Sequence, residues 1–140
     1  MAYFEVLKEL QETTLIRERL LSRLRTELSR FVRGSGNEEL VKDLVEDLRF
    51  NRRNYINLTT KISKGSMLSD DVNRELYTLL EYNVLVALNN ELELLSKISR
   101  YIQEGKIRLL MLDEIYDDIE SVNDIMIRFV NLIPAFKEDQ

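Results

Sequence analysis

The segment ELVKDLVEDLRFNRRNYINLTTKISKGSMLSDDVNRELYTLL, residues Glu39–Leu80, decides the fold because it reads as two amphipathic helices joined by a short glycine-containing loop. An arginine pair, Arg52 and Arg53, lies in the middle of the first helix, and Glu75 lies in the first turns of the second. An arginine within an apolar stripe needs a carboxylate partner, because a desolvated guanidinium without one costs several kcal/mol.

Arg52 is the member of the pair that falls in the apolar stripe. Two carboxylates are candidate partners, Asp47 on the same helix and Glu75 on the facing helix. We expect an interhelical ion pair between Arg52 and Glu75 that sets the register of the hairpin. The alternative is a helix rotated so that Arg49, Arg52 and Arg53 all face water, where most arginines are found.

The composition limits the class of protein and its chemistry. The chain has 140 residues, of which 44% are hydrophobic and 32% charged, and this suits one domain, or one domain plus a fragment of another. It has no histidine and no cysteine, which excludes a Cys/His zinc site, a disulfide framework and a nucleophile paired with histidine. No glycine-rich phosphate loop is present, and no apolar run approaches the ~18 residues of a membrane span. We therefore expect neither an enzyme nor a bound cofactor or metal.

Helical periodicity extends to both sides of the hairpin. Upstream, residues 3–32 form one helix or two, depending on whether Thr13 and Thr14 break the helix or only bend it. Downstream, a helix about 50 Å long, at ~1.5 Å per residue, is predicted from Ser69 to Ile102. The predicted fold is an all-α bundle of four to five helices with one long helix.

The predicted helix ends carry local signals. Gly34 and Gly36 stop the first helical region, and Asn37 is a suitable N-cap for the helix that follows. Ser69 offers a cap for the long helix, and Gly105 ends it.

The composition and the periodicity of the sequence change after the long helix. Residues 106–124 read as an acidic linker or an extra helix. Residues 125–140 read as a strand-like segment, because the run Ile125–Val130 is β-prone and Pro134 follows it. We therefore predict a helical domain over residues 1–105, then the linker, and then the start of a β-rich domain.

Charge is divided unevenly along the chain. Residues 1–64 hold 13 basic and 10 acidic residues, a net charge of +3, whereas residues 65–140 hold 7 and 15, a net charge of −8. Such polarity favours head-to-tail or subunit docking over uniform coating of nucleic acid. The arginine-rich helix Arg17–Arg33 is either a solvated face or a surface for phosphates. The candidate phosphate contacts are Arg19, Arg23 and Arg30.

The long helix exceeds what a compact bundle needs, so we expect part of it to lie against another subunit. The alternative is that its apolar stripe belongs to the core of the chain itself. The residues expected at the subunit interface are Leu76, Leu80, Val84, Leu88, Leu92 and Leu95.

The hairpin resembles the A domain of GINS subunits, small helical proteins of the archaeal and eukaryotic replicative helicase. Their pattern is an aliphatic residue, an arginine, a basic residue and an isoleucine, then a loop and an acidic–Leu–Tyr helix start. Tyr55 departs from it, standing where the family usually has lysine. The segment IRFVNLIPAF, residues 127–136, resembles the opening of the B domain of the same family. The residues that fit the A-domain pattern are Leu48, Arg52, Ile56, Leu68, Glu75, Leu76 and Tyr77.

The resemblance implies an A domain followed by a B domain, as in subunits of the Sld-five/Psf-one type, with most of the B domain expected beyond residue 140. It implies a non-catalytic scaffold that forms a tetramer with itself or a paralogue and joins the MCM helicase to a RecJ-like or Cdc-type partner. It also implies a cytoplasmic, nucleoid-associated protein in an archaeon or a nuclear protein in a eukaryote. Direct contact with nucleic acid would be secondary.

Two other classes of protein remain open. One is a nucleic-acid-binding helical bundle, such as the small subunit of a CRISPR effector complex, which would use the arginine-rich helix and the arginines near Arg52. The other is a helical adaptor with no assignable partner. The acidic second half of the chain argues against the first of these.

Overall fold

The computed structural model describes residues 2–63 and 70–136, with side chains described for residues 5–62 and 71–134. All regular elements in these ranges are helical, and they contain no strand, which confirms the predicted all-α bundle. The elements are α1 Ala2–Val32, α2 Glu38–Ser63, α3 Asp70–Tyr82, a π-helical turn Asn83–Ala87, α4 Leu88–Gln103 and α5 Leu112–Phe136.

Local signals mark the helix ends as predicted. Gly34 follows α1 with a φ of 79°, and Gly105 follows α4 with a φ of 76°, a left-handed conformation that glycine adopts without steric cost. Asn37 caps α2, because its Oδ1 accepts the backbone N–H of Leu40 at 3.2 Å. The expected cap at Ser69 lies outside the described residues. Upstream of Gly34, α1 is one continuous helix.

Within residues 2–63 and 70–136, four helical columns form the bundle. Helix α3, the π turn and α4 follow one another without a break and make one rod, residues 70–103. Helix α1 packs on α2 and the rod, and α5 packs on the same two columns. In the described residues, α1 and α5 have no Cα atoms within 8 Å of each other, and neither do α2 and the rod. These two pairs are therefore the diagonals of the bundle, and α1 and α5 lie on opposite corners.

The segment predicted to be a strand is the C-terminal half of α5, so that prediction is wrong over residues 125–136. Val122, Ile125 and Phe129 are fully buried at helical spacing. The Phe129 ring meets the Tyr55 ring edge-on, with 5.2 Å between centroids. Packing against α2 outweighs the β propensity of this apolar run, which by itself is compatible with either structure.

The predicted domain boundaries stay a prediction. Helix α5 begins at Leu112 and crosses residue 124 without interruption. Residues 137–140 lie outside the described part of the chain.

The apolar stripe of the rod belongs to the core of the chain, which corrects its assignment to a subunit interface. Four of its six residues have an exposed fraction of 0%, and the other two, Val84 and Leu92, are partly buried against the core. The rod packs on both α1 and α5, so the fully buried residues are not accessible to a second subunit, and a subunit contact at Val84 and Leu92 stays a prediction. The four fully buried residues are Leu76, Leu80, Leu88 and Leu95.

Candidate functional site

A network of alternating charges crosses the interior of the bundle and joins all four columns. Four of its members are buried, with exposed fractions of 0% for Arg17 and Glu91, 3% for Arg52 and 4% for Asp118. We call the whole group the ion network. Its members are Arg17, Arg49, Arg52, Glu91, Glu114 and Asp118.

Glu91 of α4 lies at the centre of the buried part. One of its oxygens accepts a hydrogen bond from Arg17 of α1, and the other accepts one from Arg52 of α2. The second arm of the Arg52 guanidinium donates to Asp118 of α5. Each charge therefore has a charge-assisted hydrogen bond, the condition under which buried ions are tolerated.

The network reaches the surface through Arg49 of α2. Its Nε and Nη2 donate to the two oxygens of Asp118 at 2.9 Å and 2.8 Å, a bidentate geometry. Its Nη2 also lies 3.7 Å from Glu114, at the solvent-exposed end of the network. The hydrogen bonds to Asp118 raise the pKa of Arg49 above its ordinary value.

Burial acts in the opposite direction on the two inner arginines. It lowers the pKa of Arg17 to about 10; Tyr55 partly opposes this shift, and the nearby charge of Arg52 adds to it. Burial also lowers the pKa of Arg52, opposed by Asp118. Arg17 still carries its positive charge at neutral pH, because its pKa stays well above 7.

A second polar cluster lies beside the ion network, around Tyr55. The Tyr55 hydroxyl donates to Asn83 in the π turn and lies 3.2 Å from the hydroxyl of Thr14. Asn83 in turn donates to Thr14 at 3.1 Å and to the carbonyl of Leu79 at 2.9 Å. The Arg17 guanidinium lies 4.6 Å from the Tyr55 ring centroid, a cation–π contact, and its Nε and Nη2 are buried without a hydrogen-bond partner.

The structure corrects the predicted partner of Arg52. The prediction that Arg52 is buried and paired with carboxylates is confirmed, but those carboxylates are Glu91 and Asp118. Glu75 is exposed on α3. The reason lies in the packing, because Glu75 faces solvent, whereas Glu91, on the same rod, and Asp118 are buried in the interior, where the Arg52 side chain reaches both.

Sequence reasoning missed three buried members of the network, although a signal was present. Each stands at a core-facing position of its helix: Arg17 three residues from Leu20, Glu91 three residues from Leu88, and Asp118 between apolar neighbours of α5. Charged residues that share the spacing of a buried stripe, in equal numbers of each sign, indicate an internal ion network. The sequence pattern places Arg17 among the surface arginines of the segment Arg17–Arg33, and this interpretation is wrong for Arg17 because its side chain is buried.

The predicted phosphate contacts lie on the surface of α1. Arg19, Arg23 and Arg30 are all exposed. Arg30 is paired with Glu27, at 3.1 Å between Nη1 and Oε2. Contact of these side chains with phosphate stays a prediction.

Two shallow clefts open on the described surface. The larger, about 310 Å³, lies between α1 and α2 near the exposed pair Lys61–Glu9, whose charged atoms are 3.1 Å apart. The smaller, about 210 Å³, lies between Thr59 and Leu132. Among the described residues, no cluster of three or more acidic, histidine or cysteine side chains is placed to hold a metal ion. No helix in the same ranges has the length and apolar character needed to span a bilayer.

Comparison of the chain with protein-family models, with curated proteins and with solved structures gives no match.

Proposed function

We propose that the chain is a non-catalytic helical scaffold of DNA replication, a GINS-type subunit. It assembles into a tetramer with copies of itself or with a paralogue, and it bridges the MCM helicase to a RecJ-like or Cdc-type partner. The observation that carries the proposal is the placement of Arg52, one of the residues through which the chain resembles GINS subunits. Arg52 is buried and holds α2 to α4 and α5, so it acts in architecture.

The chemistry of the interior supports the scaffold rather than an enzyme. Each carboxylate of the buried network is already hydrogen-bonded to two arginines, and both are inaccessible to a substrate. A general acid or base needs a group that reaches the reacting atom. The surface, in contrast, presents large apolar side chains of the kind that partners cover. Among them are Phe50, Leu85, Val86 and Met111.

The test is the mass of the particle in solution, alone and with a co-expressed paralogue, followed by capture of the MCM helicase and of a RecJ-like protein. We expect an oligomer at micromolar concentration and recovery of both partners. Phe50→Ser and Leu85→Ser should reduce capture of the partners, whereas Leu15→Ser, at an exposed leucine of α1, serves as the matched surface control. A chain that stays monomeric with its paralogue and captures neither partner would overturn the proposal.

The exposed arginines of α1 favour one second candidate, a nucleic-acid-binding bundle. Binding through phosphates should weaken steeply with salt. The variant Arg19→Gln/Arg23→Gln/Arg30→Gln should then lose affinity for single-stranded DNA. A control with Lys42→Gln/Arg108→Gln/Arg128→Gln removes the same charge from exposed positions elsewhere. Equal loss in both variants would indicate a non-specific charge effect and contradict this candidate.

A further inference from the structure

Two exposed stripes of opposite charge run along α1 and α5. Each has residues three or four apart, which places them on one helix face. Each has an isoleucine at one end, Ile16 with an exposed fraction of 50% and Ile127 with 58%. The basic stripe is Ile16, Arg19, Arg23, Thr26 and Arg30. The acidic stripe is Asp113, Asp117, Glu120, Asp124 and Ile127.

The two stripes cannot pair within one chain. Helices α1 and α5 lie on opposite corners of the bundle, and no Cα atoms of the two come within 8 Å in the described residues. Charges on these outer faces therefore meet an opposite stripe only on another molecule.

Most of these charges have no partner within the described part of the chain. The ion pairs found there include Arg30 with Glu27, but none that involves Arg19, Arg23 or any acid of the acidic stripe. Like charges three or four residues apart on a helix repel each other. The helix dipole favours Asp113 in the first turn of α5 and Arg30 in the last turn of α1, but not the charges in mid-helix.

The spacing of the two stripes matches when the helices run antiparallel. Both stripes span 15 residues, and their ends are about 21 Å apart at the rise of an α-helix. Antiparallel alignment places Ile16 opposite Ile127 and leaves one charge, Asp117 opposite Thr26, without a basic partner. Parallel alignment instead places Ile16 opposite Leu110, which is buried and precedes α5. The antiparallel layers are Ile16–Ile127, Arg19–Asp124, Arg23–Glu120, Thr26–Asp117 and Arg30–Asp113.

We propose that the basic stripe of one molecule docks antiparallel on the acidic stripe of a second copy of the same chain. The contact deepens the proposed function and rests on the self-association included in it, because it names the surfaces through which copies of the chain meet. It is heterologous, so each copy keeps one stripe free and the copies form open chains or closed rings.

A charge-swap experiment tests the pairing. The unmodified chain should associate at low salt and dissociate at ~1 M salt, where the Debye length falls to about 3 Å. Arg19→Glu/Arg23→Glu and Glu120→Arg/Asp124→Arg should each be monomeric alone, because the two exchanged positions of each variant then face charges of the same sign on a second copy. An equimolar mixture of the two variants should associate again. Circular dichroism verifies that both variants keep the helical fold.

Cysteine cross-linking tests the register, because the chain has no cysteine of its own. A mixture of Ile16→Cys and Ile127→Cys should form a disulfide-linked heterodimer. A mixture of Ile16→Cys and Asp113→Cys should not, since these residues are about 21 Å apart in the antiparallel register and a disulfide bridges Cα atoms less than about 7 Å apart. Cross-linking of the second mixture alone would overturn the antiparallel arrangement.

Two further results would overturn the proposal as a whole. One is an unmodified chain that stays monomeric at every concentration tested in low salt. The other is a basic stripe that binds single-stranded DNA while self-association is absent, with Arg19→Glu/Arg23→Glu abolishing that binding. In the second case the stripe is a nucleic-acid surface. Failure of the scaffold proposal, in contrast, would appear as loss of MCM and RecJ-like capture with self-association intact.

Discussion

Arg52 and Glu91 form a buried ion pair between two columns of the bundle whose backbones do not touch. The two residues are 39 positions apart in the chain, and Arg52 bonds at the same time to Asp118 in α5. One guanidinium therefore joins three of the four columns. A pair of this kind makes the relative position of the helices specific, because any other register would bury an unpaired charge.

Neutralising Glu91 should be among the most destabilising single changes in the protein. In Glu91→Gln, Arg17 loses its carboxylate and Arg52 keeps only Asp118, and breaking a buried pair costs about 3–5 kcal/mol. Urea denaturation measures this as a lower midpoint at an unchanged slope. The exposed Glu93→Gln on the same helix is the control, expected within about 0.5 kcal/mol of the parent. A cost for Glu91→Gln no larger than the control would contradict the role of Glu91.

Replacing the buried ions together should have the opposite outcome. The triple variant Arg17→Met/Glu91→Leu/Arg52→Met leaves Asp118 with Arg49 and removes the desolvation penalty of three charges. Apolar replacement of a whole buried triad is often neutral or stabilising by about 1–4 kcal/mol. We expect unfolding free energy at or above that of the parent, measured in urea. If the triple variant were destabilised as much as Glu91→Gln, the buried ion pairs would contribute net stability to the fold. They would then do more than offset the cost of burying their own charges.

A double-mutant cycle separates the observed partner of Arg52 from the one expected from sequence. Coupling between Arg52→Met and Glu91→Gln should fall in the range of about 0.5–3 kcal/mol for residues in contact. Coupling between Arg52→Met and Glu75→Gln should be near zero, because Glu75 is exposed on α3. A larger coupling energy of Arg52 with Glu75 than with Glu91 would contradict the pairing seen in the structure and support Glu75 as the partner.

Because of Tyr55, the free energy of unfolding should fall at alkaline pH. Burial raises its pKa above the ordinary value of 10, so above pH 10 the unfolded chain releases this proton more readily than the folded chain. The stabilisation is therefore present below pH 10 and is lost as pH rises toward the folded-state pKa. Tyr55→Phe should flatten this slope in urea titrations between about pH 8 and pH 11. Tyr116→Phe, an exposed tyrosine, should leave it unchanged.

Phe129 tests whether the C-terminal half of α5 belongs to the helical core. Phe129→Ala should lower the unfolding free energy by about 3–5 kcal/mol, because it removes a fully buried ring that contacts Tyr55. Its neighbour Val130 is half exposed, so Val130→Ala should cost no more than about 0.5 kcal/mol. If residues 125–136 belonged to a separate domain, Phe129→Ala would leave the urea transition of the helical bundle unchanged.

The C-terminal segment illustrates where sequence reasoning reached its limit. The run Ile125–Val130 has the composition of a strand, and a short apolar run does not distinguish a strand from a buried helix. Three of the positions that decide the question, Val122, Ile125 and Phe129, are three or four residues apart. The sequence shows this spacing, but it does not show which helices pack over these three residues.

The sequence alone determined the helical class, the helix ends at Gly34, Asn37 and Gly105, and the need of Arg52 for a buried carboxylate. These features are local, since caps, turns and desolvation act within a few residues. Only the tertiary structure decided that the carboxylates are Glu91 and Asp118, and that the stripe of the rod is internal. Those choices depend on how the columns pack. Arg52 is 39 positions from Glu91 and 66 positions from Asp118 in the sequence, so these side chains meet only in the folded bundle.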